Sequence, residues 1–389
     1  MLLRRVTSKS ARALRHASAP ARVLALLSVL LLPAGFAASP AAEPSSSGTN
    51  GPHALVVTVR DPDATEAFRP RQERIPAMVK CAITNLTGKA SLAEAWRNAV
   101  FTNGVVSTTD VVGIKVYSVP GPNSGTRPAV VAAVVEGLLA AGVPPQRIVV
   151  WDKRVVDLRL AGFFELAAHY GIRVAGSADA GYDETAFYDS PLLGDLVWGD
   201  FEFGRKTTGV GRKSFVSKLV SREITRIINV TPLLNHNEAG VSGNLYSLAA
   251  GSVDNFARFE SDTGRLANAV PEIYAMPYLS DKVVLSVVDA LICQYEGGER
   301  GLLHYSAMLN ELRFSKDPVA LDVLSLNELV RQRRAAQAPA VTQNLDLYSN
   351  AALLELGVND IKRIRLETLS FASATTVGTN ASLFSPLTN

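Results

Sequence analysis

The stretch that most narrows the folds open to this chain is Asp110–Trp151. A short β-branched run, Val111–Val116, enters a Gly/Pro-rich loop. A helical stretch, Pro128–Ala141, follows and is stopped by Gly142, and a second apolar run comes at Ile148–Trp151. That order predicts a β-α-β crossover, a unit whose two strands lie parallel in one sheet. Ligands of such sheets tend to bind beyond the carboxyl ends of the strands. Lys115, near the end of the first strand, and Asp152, just after the second, are therefore placed at one edge. The loop between them, SVPGPNSGT, does not read G-x-G-x-x-G, which argues against a dinucleotide.

The alternation continues on both sides. Ala54–Arg60 reads as a strand, Ile75–Leu86 has helical spacing, and Ser91 with Glu94 forms a capping box that opens a helix to Val100. Leu158–Tyr170, closed by Gly171, reads as a helix before a strand at Ile172–Ala175. Asp179–Ser214 loses periodicity and reads as an irregular insert of hairpins or a lid. Its Gly204-Arg-Lys-Thr and Gly211-Arg-Lys-Ser miss the phosphate-loop pattern and read as basic turns. Further strands are expected at Ile224–Val230, Lys282–Val287 and Glu311–Phe314. A helix is expected from Pro318 to about Arg334, with Asp317 as its cap, then a last helix and strand at Ser349–Gly357 and Ile361–Glu367. The expected architecture is α/β: a largely parallel central sheet with helices on both faces and an irregular insert, in one domain over residues 52–367.

The ends read differently. Six basic residues, from Arg4 to Arg22, precede an apolar run at Val23–Leu32 and small residues around Ala37–Ala42. This is the order of a secretory signal peptide over residues 1–42, with an uncleaved amino-terminal anchor as the alternative. A linker at 43–51 and a disordered tail at 368–389 complete the expected layout. The chain would then be exported, periplasmic or extracellular in a bacterial cell, with no membrane contact after cleavage. Removing six positive charges from a formal +3 leaves −3, and no basic stripe is visible, so nucleic acid is not an expected partner. Cys81 and Cys293 are the only cysteines. They would either pair in an oxidising compartment or stay as buried thiols, and two thiols are too few for an iron–sulfur cluster.

Polar side chains concentrate in Asn229–Asn255, directly after the run Ile224–Val230. Asn235, His236, Glu238 and Asn244 fall there, in what reads as a loop at a strand end. Imidazole titrates near neutrality and serves as acid, base or metal ligand. His236 with Glu238, Asp289 and Asp317 would make a mixed nitrogen and oxygen set suited to a divalent metal. A Ser242–His236–Asp289 arrangement can also be drawn, although Ser242 lacks the G-x-S-x-G setting. The plainer reading of His236 is a residue whose nitrogens brace the loop. Glu296-Gly297-Gly298-Glu299 is a turn placing a carboxylate over the same edge.

With these segments in order, the chain resembles domain-of-unknown-function family 362 over roughly Asp110–Glu367. The resemblance rests on VGIKVYS at Val112–Ser118, TRPAVVAAVVEGLLAAGV at Thr126–Val143, and INVTPLLNHNEAGVSGNLYSLAAGS at Ile228–Ser252. VVDALICQYEGG at Val287–Gly298 and SKDPVALD at Ser315–Asp322 add to it. It implies that Lys115, His236, Asp289, Ser315, Asp317 and Asp322 occupy the family's recurring motif positions. The family usually carries Lys two residues before the motif His and a Lys-Asn pair further on, where this chain has Leu234 and Tyr246-Ser247. The ferredoxin-type iron–sulfur domain that a number of members carry has no cysteine set here.

Two functions follow as expectations. One is an exported enzyme acting on a small polar molecule, with His236, Lys115 and Asp289 as catalytic groups. Asn235, Glu238, Asn244, Ser315, Asp317 and Asp322 would bind its substrate. The other is a non-catalytic protein that binds a small-molecule ligand at the cell surface or in the periplasm.

Overall fold

Every residue of the strand Val112–Val116 is buried, as a central parallel strand covered by helices on both faces requires. A computed structural model describes residues 53–190 and 213–372. The expected signal peptide and linker, the Gly204 motif and the tail from 373 onward lie outside the described residues, as do residues 191–212 of the insert.

The strands are β1 (Ala54–Arg60), β2 (Thr65–Glu66), β3 (Arg69–Pro70), β4 (Val112–Val116), β5 (Ile148–Asp152), β6 (Arg173–Gly176), β7 (Tyr182–Asp189), β8 (Lys213–Ser217), β9 (Arg226–His236), β10 (Gly240–Val241), β11 (Val283–Gln294), β12 (Ser306–Ser315) and β13 (Ile364–Ser370). The helices are α1 (Ile75–Thr87), α2 (Leu92–Val100), α3 (Gly121–Ser124), α4 (Pro128–Ala140), α5 (Val155–Leu160), α6 (Phe163–Tyr170), α7 (Ser177–Ala180), α8 (Asn244–Ser252), α9 (Thr263–Tyr274), α10 (Pro318–Ala335) and α11 (Leu345–Leu353).

The main sheet runs β13-β1-β12-β11-β9-β4-β5-β6. Its neighbours are parallel except at β12, which is antiparallel to both β1 and β11. The expected largely parallel α/β sheet with helices on both faces is therefore the fold. One face packs on Ile75, Trp96, Leu138 and Phe163 of α1, α2, α4 and α6. The other packs on Leu245, Val270, Leu321 and Leu347 of α8 to α11. Alternate residues of β4 supply the two layers: Ile114 enters the first and Lys115 turns toward α8. Gly137 lets α4 press against Trp96, since a Cβ there would meet the indole at 2.0 Å.

The crossover predicted from sequence is β4–α4–β5, and Gly142, at φ 95°, turns the chain out of the helix. After β6 the chain returns to the other side of β4 as β9. The carboxyl ends of β4 and β9 thus flank the point where connections diverge to opposite sides, the position at which α/β sheets open a crevice.

Three expectations change. The helix expected at Leu158–Tyr170 is two helices, α5 and α6, broken where Gly162 adopts φ 88°. The stretch Asn229–Asn255 is mostly regular structure rather than a loop. β9 continues to His236, β10 folds back on it, and α8 follows. The polar segment after Asn255 contains α9, capped by Asp262, whose side chain accepts from Arg265 N–H at 2.9 Å. The described parts of the insert form a hairpin, β7 with β8. Cys81 sits on α1 at one face and Cys293 on β11 among the other face's core, both as free thiols.

Candidate functional site

A cleft opens at the carboxyl edge of β4, β5 and β9. It has two lobes, of about 260 and 340 Å³, that share Tyr246, Glu260 and Glu299. His236 lines one lobe and Asp152, Lys153 and Tyr117 the other. His236 reaches the cleft because β9 outruns its pairing with β4, which ends at Val230. The chain then turns back, with Gly240 opposite His236.

The imidazole is held from behind. Its Nδ1 accepts the backbone N–H of Ala239 at 3.0 Å and of Glu238 at 3.3 Å, and its ring lies 4.1 Å from that of Tyr246. Burial lowers its pKa to about 4, so at neutral pH the ring is uncharged and Nε2 carries the proton. The Glu238 carboxylate stands 3.5 Å from Nδ1. With Nδ1 acting as an acceptor this contact is not an ion pair.

Two tyrosines form the floor. Tyr246 donates to Glu260 at 2.8 Å and Tyr117 donates to Glu299, with the rings edge to face at 6.3 Å. Burial and these carboxylates raise both phenols well above the usual range, so they remain donors. Glu299 is presented by the turn at Gly297 and Gly298, both at positive φ, and Gly298 N–H is tied to Asn235 Oδ1 at 3.0 Å. Asn235 therefore positions this turn.

Lys115 lies under the cleft, fully buried. Its Nζ donates to Asp152 Oδ1 at 2.8 Å, Val116 O at 2.6 Å and Ser247 Oγ at 3.1 Å. Asp152 Oδ2 accepts from Ser118 N–H at 2.8 Å and Oγ–H at 2.7 Å. Burial lowers the Lys115 pKa and Asp152 opposes that shift. All three ammonium protons are used inside the protein, and a Cβ at Gly251 would sit 2.3 Å from Cε. The neighbouring Lys153, its pKa lowered to about 8 by burial, donates to the carbonyls of Ala250 and Asp254.

The remaining residues expected at the site lie elsewhere. Asp289 is buried beside Arg127, with Nη1 at 2.9 Å from Oδ1 and the backbone N–H donating to Oδ2 at 3.1 Å. The Nη1 contact is a charge pairing off the hydrogen-bond direction. Ser242 Oγ donates to Asn235 O at 3.4 Å, and Asp289 stays with Arg127, so the drawn triad is not assembled. Asp322 accepts Asn244 N–H and Nδ2–H on Oδ1 and Leu245 N–H on Oδ2, capping α8. Burial lifts its pKa to about 6. Ser315 and Asp317 line a different cavity, beside the start of β1. Ser315 shares a row with Lys115 through Ser286 and Asn229, three strands and roughly 14 Å away. Asp317 caps α10 through Ala320 N–H at 2.8 Å and also accepts from Val358 N–H at 2.9 Å. Among the described residues no three His, Cys, Asp or Glu side chains gather to hold a metal ion.

Sequence reading missed Tyr117, Tyr246 and Glu260. For the two tyrosines a signal is visible afterwards, hydroxyl-bearing rings just after β4 and at the start of the buried helix α8, where a plain core would need no hydroxyl; Glu260 carries none.

No curated protein matches the chain. A crystal structure of a Thermotoga maritima protein from a structural genomics consortium is similar at 10% identity and a TM-score of 0.38. The match covers 70% of this chain and 61% of that one, so the chain spans about three fifths of that protein's length. Residues 112–327, more than half of the chain, match the family model described as "Domain of unknown function (DUF362)". These residues run from the first residue of β4 into α10 and include the cleft's His236, Tyr117, Tyr246, Glu260 and Glu299. The chain belongs to the DUF362 family.

Proposed function

We propose that the protein binds a small polar molecule in this cleft and does so outside the cytoplasm. The observation that carries the reading is the convergence of His236, Glu260 and Glu299 on one opening, each held from behind. A pocket with an apolar and aromatic wall and a few fixed polar groups is the usual form of a ligand site. The basic and then apolar opening of the sequence, Arg4–Leu32, supports export. A sequenced amino terminus near Ala38–Glu43 on protein recovered from the exported fraction tests it.

A second reading, an acid–base enzyme, is favoured by Glu299 alone, an exposed carboxylate supported by a phenol. Lys115, Asp152 and Asp289 argue for the binder, since their charges are paired inside the protein. Thermal-shift screening of the full chain against small polar metabolites tests both readings. Compounds that raise Tm in the wild type but not in Tyr246→Phe or His236→Asn support the site. Conversion of a hit on incubation, followed by NMR, identifies an enzyme. A hit whose shift survives both substitutions places the ligand elsewhere.

A further inference from the structure

We propose that the ligand of this cleft carries a positively charged amine. This rests on the reading of the cleft as the ligand site and adds the chemical class. The lobe around His236 is lined by three carboxylates, Glu238, Glu260 and Glu299, against one guanidinium, Arg300. Glu260 and Glu299 each accept from a neutral phenol, and among the described residues neither has a cationic partner. A phenol orients a carboxylate without cancelling its charge, so the lobe keeps a negative excess. Lys153 lines the adjoining lobe and its charge reaches Glu260, but its ammonium donates to the carbonyls of Ala250 and Asp254 and forms no ion pair with Glu260, so the excess is reduced and not removed.

The floor beneath these carboxylates is aromatic. The Tyr246 ring packs edge to face with Tyr117 and Phe256, at 6.3 and 5.7 Å between centroids. His236 lies against the Tyr246 ring at 4.1 Å, and Tyr246 and Tyr117 are 3% and 4% exposed, so this floor acts through the phenols that orient the two carboxylates. His236 is 9% exposed and has its Nδ1 filled. Its Nε2 has no partner among the described residues and faces the lobe, offering a neutral donor to a second polar atom of the ligand.

The test uses the full chain with butylammonium chloride, and sodium butyrate as the anionic counterpart. Butylammonium is expected to bind by calorimetry in the millimolar range and to move the His236 ring resonances in spectra of histidine-labelled wild-type protein. Glu260→Gln and Glu299→Gln should each weaken that binding about tenfold, the usual effect of losing one charged hydrogen-bond partner. His236→Asn assigns the His236 signals among the five histidines, and the titration itself is run on the wild-type chain, so a misfolded Glu260 or Glu299 substitution leaves the test intact. If butyrate moves those resonances and butylammonium does not, the charge class is wrong while the cleft remains the ligand site. If neither moves them, the amine proposal is overturned. If no metabolite of the wider screen moves them either, the ligand site falls with it.

Discussion

His236 shows how burial decides what a titratable side chain can do. Its unfolded pKa is near 6.5 and its folded value is lowered to about 4. Between those values the unfolded chain binds more protons, so stability falls as pH drops from 6.5 to 4. The loss attributable to His236 is about 3 kcal/mol, at ~1.4 kcal/mol per pH unit. Asp322, raised to about 6, and Asp254, raised to about 7, act with the opposite sign, because the folded state holds their protons more tightly. His236→Asn keeps an acceptor for the Ala239 N–H and removes the titration. Urea unfolding should show a flatter acid limb for this variant than for the wild type; equal slopes would refute the assignment. Lys115 poses a different question. Lys115→Met leaves Asp152 buried with only the two Ser118 donors, and loss of one partner of a buried pair costs about 3–5 kcal/mol. Adding Asp152→Asn to Lys115→Met should restore much of that loss. A double variant as unstable as the single one would show that the pair is not the cause.

At the scale of elements, the sequence was legible where one local signal dominated. The β4–α4–β5 crossover carried β-branched runs, a Gly stop and helical spacing, and each falls within a residue or two of its expected bounds. The helix cap at Asp317 was legible for the same reason. α9 was not, because the stretch Asn255–Val270 reads as polar until Asp262 is recognised as a cap. The polar cluster in Asn229–Asn255 was found, but its roles were not. Asn244 and Asp322 are 78 residues apart, and no spacing announces that one element caps another. Both caps can be tested. Asp322→Ala strips the partners of two buried N–H groups at the start of α8 and should cost about 3 kcal/mol. Asp317→Ala, at the rim of a cavity, should cost about 1 kcal/mol, the usual value for an N-cap. Urea unfolding with the reverse order would overturn the assignment of Asp322 as the more deeply engaged cap.

Across the whole molecule, the sheet separates what sequence alone could not. Reading carboxylates at strand ends gives no strand order, so Ser315 and Asp317 were grouped with His236. The antiparallel β12 instead delivers them beside the start of β1. Glu299 was legible, since a Gly-Gly turn after a strand must project its flanking side chains. The tyrosines that hold Glu260 and Glu299 depend on β4, α8 and β9 meeting at one edge, which only the fold determines. The same partition settles the two thiols. Cys81 lies half-buried on α1, on one face of the sheet, and Cys293 lies fully buried on β11 within the core of the other. A disulfide between them would need the sheet itself to open, since bridged Cα atoms lie within about 7 Å. Burial raises both thiol pKa values, that of Cys293 far more, and an aromatic disulfide reagent attacks the thiolate. Protein purified from an oxidising compartment should therefore titrate as two thiols when denatured. In the native state only Cys81 should react, slowly, with Cys293 following at the rate of unfolding. A denatured protein with no titratable thiol would show that the two residues meet, and that the arrangement of α1 and β11 across the sheet is wrong.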